Sequence, residues 1–523
     1  MNPHVIAVSL LSALVIAPAA LPAQQQDYDV IIRGGRVLDG SGNPWFLADI
    51  GIWGDRILAV DDLSDARAAT VIDATGLYVA PGFIDVHSHA AGGLASADRS
   101  DARLLLTQGL TTVVVNPDGR SPDIERQRYQ LLDHGLGVNV AQMVGHGTTR
   151  GAVLGMEDRQ ATPAELDRMK RIVRAGMEQG AFGLSSGLFY TPGSYADLSE
   201  VIALAQIVAE FGGVYASHIR DEADYSIGVV AAVDEVIEVA RGAGIPGVVT
   251  HIKALGPNVW GESTTIVEHV EAARAEGVEM YADQYPYDAS STGLSAALLP
   301  RWSQAGGAQA LSARFADPET RARIRAAMVE NLARRGGADR LQFTGGGPGM
   351  EGRTLQDLAD EQGVDPIDMA MELLSNGAGG GVISYNMQEA DIQRLMVQPW
   401  TMTSSDGSYP VFGEGMPHPR AYGTFPRKIH EYVVQDGVVS LENAVRSMTS
   451  LPATVFRIRD RGALRFGAYA DVVVFDLDRL TDRATYTDPH QYSEGVVHVL
   501  VNGRVALHDG QLTGTMAGEV LRR

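Results

Sequence analysis

A long middle segment in which short apolar runs alternate with amphipathic stretches constrains this chain most. Residues 113–115, 138–144, 214–217, 247–250 and 278–282 are apolar runs of the kind that form buried strands. Between them, 163–178, 198–210, 227–241 and 264–275 carry helical signals. Thr162 before Pro163 combines a favoured N-cap with proline at the first helical position. Strand–helix alternation over about 370 residues predicts an α/β fold with parallel strands, of the length of a TIM-like (β/α)8 barrel.

The two ends read differently. Residues 29–80 consist of apolar triplets split by Gly and Asp, a sheet signal. Residues 470–476 and 496–501, the latter before the turn Asn502-Gly503, repeat that texture. The expected architecture is therefore a barrel over 81–450 and a small β-sandwich domain formed by both chain ends, 24–80 and 451–523. A helical, Arg/Ala-rich stretch at about 293–345 breaks the alternation and reads as an insertion. The apolar run 5–20, followed by small Ala23, reads as a signal peptide over 1–23. A periplasmic or secreted location is then expected, with no stable membrane association after cleavage. The oligomeric state stays open.

Composition removes several function classes. The formal net charge of −22 leaves no broad basic surface for nucleic acid. An apolar fraction of 45% argues against wholesale disorder. Cysteine is absent, so any metal site must use His and carboxylates. Only three lysines occur, Lys170, Lys253 and Lys428, which restricts any lysine chemistry to these positions.

The strongest local motif is Pro81-Gly82-Phe83-Ile84-Asp85-Val86-His87-Ser88-His89. On a strand, residues i and i+2 share a face, so His87 and His89 can share one metal. His218, His251 and Asp406 each follow an apolar run. Strand C-termini are where such barrels place their chemistry. Four histidines and an aspartate at one rim would hold one or two divalent ions.

With these residues in view, the chain resembles the amidohydrolase superfamily, and within it the N-acyl-D-amino-acid deacylase (D-aminoacylase) family. The resemblance rests on the motif at 81–89 and on G-L-T-T-V-V-V at 109–115, G-H-G at 145–147 and G-L-S-S-G-L-F-Y-T-P-G at 183–193. It continues through S-H-I-R-D-E at 217–222, T-H-I-K at 250–253, D-Q-Y-P-Y at 283–287 and S-S-D-G at 404–407. H-P-R-A-Y-G-T-F-P-R at 418–427 and H-Q-Y-S-E-G at 490–495 complete it. The resemblance implies that His87, His89 and Asp406 bind one metal and that His218 and His251 bind a second. Where the family's best-known members carry a shared cysteine ligand, this chain has Asp118. Zinc is expected, and because a carboxylate is a harder ligand than a thiolate, the metal preference is expected to broaden towards Mn or Co.

The resemblance also implies a reaction. Water on such a metal becomes a usable nucleophile near neutral pH. Asp406 would take its proton and pass it to the leaving amine. Tyr190, Lys253, Tyr285, Ser291 and Arg420 would hold the α-carboxylate of a small-molecule substrate. The expected function is hydrolysis of N-acyl-D-amino acids. A dipeptidase for peptides ending in a D-residue, and a cyclic-amide hydrolase, are the alternatives. No basic pocket for an acidic side chain is legible, so a neutral or hydrophobic D-residue is the mild preference.

Overall fold

A computed structural model describes residues 28–523; the expected signal peptide lies outside them. The two chain ends form one nine-stranded mixed sheet among the described residues. Tyr28–Val37 pairs antiparallel with Phe46–Trp53 and parallel with Tyr78–Pro81. Tyr78–Pro81 in turn pairs antiparallel with Val472–Phe475, with Ala80 opposite Val473. Val496–Val501 and Arg504–His508, joined at Asn502-Gly503, extend the sheet. Its interior is aliphatic, with Ile32, Ile50, Ile72, Val472 and Leu500 in one cluster.

The middle of the chain builds two parallel sheets. One contains Phe83–His89, Leu110–Val115 and Asn139–Gln142, with Gly407–Ser408 at its other edge. The second runs through Val144–Gly145, Gly183–Gly187, Val214–His218, Gly247–Val249, Met280–Gln284 and Thr401–Thr403. Both edges of one sheet adjoin edges of the other along the chain, at Gln142/Val144 and at Thr403/Gly407. Helices cover the strands. In Pro163–Glu178, Thr162 accepts from the Glu165 amide while the Glu165 carboxylate accepts from the Thr162 amide at 2.8 Å. Such a cap contributes about 1 kcal/mol. Met169, Val173, Gly176 and Met177 then face the strands.

At the strand N-termini the interior is apolar: Ile84, Val86, Val114, Met143, Phe182, Ala216, Val248 and Met402 form one cluster with Leu451, Val455 and Phe456. Residues 451–458 thus belong with the parallel strands, and the boundary expected at 451 falls later. The chain joins the terminal sheet's interior only at Leu464. Its last residues return to the parallel strands, where the Leu521 amide donates to Val140 O at 2.8 Å.

The insertion also runs further than 293–345. Leu341–Phe343 and Ser290–Gly293 flank Gly381–Ser384 in a small antiparallel sheet. One apolar cluster unites Leu294, Leu298, Phe343, Leu355, Ile367 and Val382. The boundary was hidden because helices Leu355–Gln362 and Pro366–Ser375 restore a strand–helix rhythm to the sequence. Among the described residues no helix is long and apolar enough to cross a membrane.

Candidate metal centre and active-site cavity

The six residues expected to bind metal converge at the C-terminal ends of the parallel strands. His87 and His89 close the strand Phe83–His89, where one extra residue between Asp85 and Ser88 shifts the register against Leu110–Val115. Such a bulge re-aims the side chains beyond it. Asp118 follows the next strand, His218 ends the strand Val214–His218, and His251 and Asp406 lie just beyond theirs. Asp118, His251 and Asp406 have φ of +57°, +36° and +47°. Non-glycine residues in that region cost about 1–2 kcal/mol each. The structure holds them there through its own contacts. Asp283 Oδ1 accepts from the His251 amide at 2.8 Å, and the Asp406 amide donates to His87 O at 2.9 Å. Gly187 leaves room for the Asp118 loop, since a Cβ there would lie 2.3 Å from Asp118 O.

Asp118 is the hinge of the cluster. Its Oδ1 lies 3.4 Å from His87 Nε2 and 3.6 Å from both His218 Nδ1 and His251 Nε2. Its Oδ2 lies 3.4 Å from His89 Nε2. Asp406 Oδ1 is 3.5 Å from His87 Nε2 and 3.2 Å from His89 Nε2. Two overlapping ligand groups result: His87, His89, Asp118 and Asp406, and Asp118, His218 and His251. These separations match the edge of a tetrahedron whose metal–ligand bonds are about 2.05 Å, roughly 3.3 Å. Both ring nitrogens of His87, both of His218 and Asp118 Oδ1 are buried without a hydrogen-bond partner. Buried polar atoms are normally paired, and each neutral imidazole here has one lone-pair nitrogen available to a cation. The residues fit a divalent metal, with Asp118 able to serve both groups.

Other carboxylates support this set. Glu222 Oε1 lies 3.0 Å from His251 Nδ1, which leaves Nε2 turned toward Asp118. Asp85 accepts from the Ser405 amide at 2.9 Å and the His87 amide at 3.2 Å, tying the two ligand strands together. Glu222, Asp283 and Asp85 each lie inside motifs quoted above, but their roles depend on partners distant in sequence.

Tyr190, Lys253, Tyr285, Ser291 and Arg420 all line one cavity of about 720 Å³ with His89, Asp118, His218, His251 and Asp406. The two cations are already engaged. Lys253 Nζ donates to Glu222 Oε1 and to His251 O at 2.8 Å, and lies 2.8 Å from His251 Nδ1. Arg420 Nη1 stands 2.8 Å from Asp406 Oδ2. Burial opposes the charge on Asp406, but Arg420 and the imidazoles of His251, His89 and His87 hold its carboxyl well below the usual range. The Tyr190 hydroxyl is 3.3 Å from Thr292 Oγ1, and its ring is 4.6 Å from that of His218. His146 stands apart, buried against Glu200 at 2.9 Å.

Imidazoles and carboxylates brought to one rim of parallel strands define a divalent-metal site on an α/β scaffold. The chain belongs to the amidohydrolase family, whose profile matches residues 70–507. It is 36% identical to the N-acyl-D-glutamate deacylase of Alcaligenes xylosoxydans xylosoxydans, across 95% of this chain and 97% of that protein. It is 35% identical to the D-aminoacylase of the same organism, across 96% and 99%. The crystal structure of N-acyl-D-glutamate deacylase from Bordetella bronchiseptica, complexed with zinc and a phosphonate that mimics the tetrahedral intermediate, superposes with a TM-score of 0.81. That likeness covers 95% of this chain and all of that one, at 35% identity.

Proposed function

We propose that this protein is a metal-dependent deacylase that hydrolyses N-acyl-D-amino acids to a carboxylate and a free D-amino acid. The observation that carries the reading is Asp118 standing between two histidine groups, with Asp406 at the edge of the same cavity. His87, His89, Asp118 and Asp406 would hold one ion, and His218 and His251 with Asp118 a second. Zinc is the metal of choice, as in the Bordetella relative. A metal held there supplies Lewis acidity, lowering the pKa of water and polarising a carbonyl.

The chain's own residues do the rest. Asp406, kept ionised by Arg420, accepts the proton of the attacking water on a carboxylate oxygen and delivers it to the leaving nitrogen. Tyr190, Tyr285, Ser291 and Arg420 orient the α-carboxylate. Lys253 contributes charge to that wall while its donors remain on Glu222 and His251.

We also infer that the two parallel sheets close on each other as a (β/α)8 barrel. Their adjoining edges at Gln142/Val144 and Thr403/Gly407, and the common rim for the ligands, support this. The terminal sheet would fold over as a sandwich, since Ile50 and Leu500 share one interior from distant strands. Export to the periplasm rests on the apolar run 5–20 and Ala23 alone. Recovery of the mature chain in the cytosolic fraction would remove it.

The test is amine release from paired N-acetyl-D- and N-acetyl-L-amino acids, with zinc, Mn or Co added and a chelator control. Chelator-sensitive release from D-substrates is expected. Release from L-substrates at equal rates, or release that survives chelation, would overturn the reading.

A further inference from the structure

A second cavity, of about 360 Å³, lies beside the one that holds the metal ligands. Arg120, Phe189, Tyr190, Ser295 and Ala296 line both, so the smaller cavity is an annex of the larger. One wall of the annex comes from loops that follow the parallel strands, through Phe189, Thr191 and Tyr225. The other comes from the insertion, through Leu299, Trp302 and Ala327. Cavities of roughly 300–1,000 Å³ hold ligands of drug size. The first cavity already reaches about 720 Å³, so an acetylated amino acid seated at the metals leaves the annex unfilled.

The charges around the annex are already engaged. Each nitrogen of the Arg301 guanidinium donates to a protein oxygen: Nε to Phe189 O at 3.0 Å, Nη1 to Ser226 Oγ at 3.2 Å and Nη2 to Arg220 O at 2.7 Å. These bonds tie the insertion to the loops opposite. Arg334 lies between Asp224 at 3.3 Å and Glu330 at 3.7 Å. Arg120, at the shared boundary, is exposed and solvated. The rings of Phe189, Tyr190, Tyr225 and Trp302 supply flat faces on both walls. Such faces favour a neutral aromatic group, which packs on them edge-on or offset.

The end of the substrate that reaches the annex follows from the metal site. Arg420, which faces the α-carboxylate, stands 2.8 Å from Asp406, which serves the leaving nitrogen. The amino-acid half therefore occupies the Asp406 end. The acyl half lies on the other side of the scissile bond, towards His218, which belongs to the second ligand group across Asp118. The His218 ring lies 4.6 Å from that of Tyr190 and 5.6 Å from that of Phe189. These two rings form part of the boundary of the annex.

Resting on the deacylase reading, we propose that the annex receives the acyl group, and that the substrates are N-acyl-D-amino acids whose acyl part is bulky, neutral and aromatic. Trp302 and Ala327, both from the insertion, then determine acyl specificity without touching the reacting atoms.

The experiment compares kcat/KM of the zinc-loaded enzyme for N-acetyl-D-alanine, N-phenylacetyl-D-alanine and N-acetyl-D-phenylalanine in the wild type, Ala327→Trp and Trp302→Ala. Ala327 and Trp302 line the annex and not the first cavity. The first variant fills the space and the second removes one aromatic face. On D-alanine the wild type should favour phenylacetyl over acetyl by about tenfold or more, as expected for burying a phenyl group. Ala327→Trp should bring that ratio to within about threefold of one, mainly through KM, and Trp302→Ala should lower it by about threefold or more. A wild type without preference for phenylacetyl overturns the proposal, as does a preference that survives in Ala327→Trp. If only the ratio of N-acetyl-D-phenylalanine to N-acetyl-D-alanine collapses, the annex holds the amino-acid side chain and the acyl assignment falls. Because ratios are compared within each variant, a general loss of folded enzyme does not mimic the effect. Absence of turnover on every substrate would instead overturn the deacylase reading. Calorimetric binding of phenylacetate then decides the annex by itself: weaker binding in Ala327→Trp than in the wild type supports it, and equal binding, or none in either, rejects it.

Discussion

His146, Glu200 and Arg150 form a buried cluster of imidazole, carboxylate and guanidinium, the same side-chain classes that line the metal centre and its cavity. The metal ligands stand at the ends of parallel strands; His146 also directly follows one, Val144–Gly145, but Arg150 and Glu200 lie on the helices His146–Leu154 and Leu198–Glu210. They end up chemically opposite. Glu200 meets His146 through one oxygen at 2.9 Å and Arg150 through the other, so its charge is consumed. Arg150 also donates to Arg159 O. That cluster does not line the large cavity, although His146 Nδ1 and Arg150 Nε are also buried without a hydrogen-bond partner. At the metal centre, Asp118 Oδ1 and four ring nitrogens of His87 and His218 have no hydrogen bond. Burial, residue type and unpartnered atoms are shared; what makes a site is the convergence of several ligand atoms, His87, His89, Asp118 and Asp406 in one group and Asp118, His218 and His251 in the other.

That contrast can be broken from either side. Asp406→Asn keeps the shape but removes the proton acceptor, and should lower kcat by about 10³-fold, within the range for general acid–base groups. Steady-state kinetics on the preferred substrate, with metal content measured alongside, checks this; a loss under tenfold would reassign the base. Asp118→Ala removes the one residue that serves both ligand groups. Metal affinity in chelator-buffered titrations should weaken by at least about tenfold, the lower range seen even for indirect perturbations of metal sites. An unchanged affinity would reduce Asp118 to a turn residue.

Glu200→Gln strikes the His146 cluster instead. It strands Arg150 without its anion, and stability should fall by about 3 kcal/mol in denaturant titration. The turnover of the remaining folded enzyme should stay within about threefold of wild type. A large kcat defect with normal stability would mean that His146 acts on the cavity after all.

Lys428 sharpens the comparison at lower cost to the protein. It is buried with only Thr403 and Ser447 hydroxyls at 2.9 Å, and burial pushes its ammonium down to about 7. In the unfolded chain it titrates near 10.4. Between about pH 7 and 10.4 the unfolded chain therefore binds the extra proton. Stability from this group rises with pH across that window, and the penalty is full below it. Lys428→Met should flatten the rise, which amounts to roughly 5 kcal/mol at its widest. Parallel pH–stability curves for the two proteins would exclude this account.

The site was legible in the sequence to different depths. His87 and His89 stood out because a two-residue spacing on a strand is a local geometric fact. His218, His251 and Asp406 were marked by their place after apolar runs. Asp118 was found only by aligning its loop with a known motif. Glu222, Asp283 and Asp85 were visible as letters, but their uses were not. Asp85 reaches Ser405 across 320 residues, and no local pattern encodes that pairing. Lys253 and Arg420 were expected to hold the substrate's α-carboxylate; that both also face protein carboxylates was not legible in the sequence.

What the sequence determined by itself was periodic and local: α/β alternation in the middle, strands at both ends, and ligands at strand ends. These follow from side-chain spacing, which is fixed by backbone geometry. Tertiary structure alone decided that residues 451–458 pack beneath the parallel strands and that the insertion runs to 384. It also decided which charges find partners and which stay open. Those outcomes depend on distances between segments hundreds of residues apart, where burial makes each missing partner expensive.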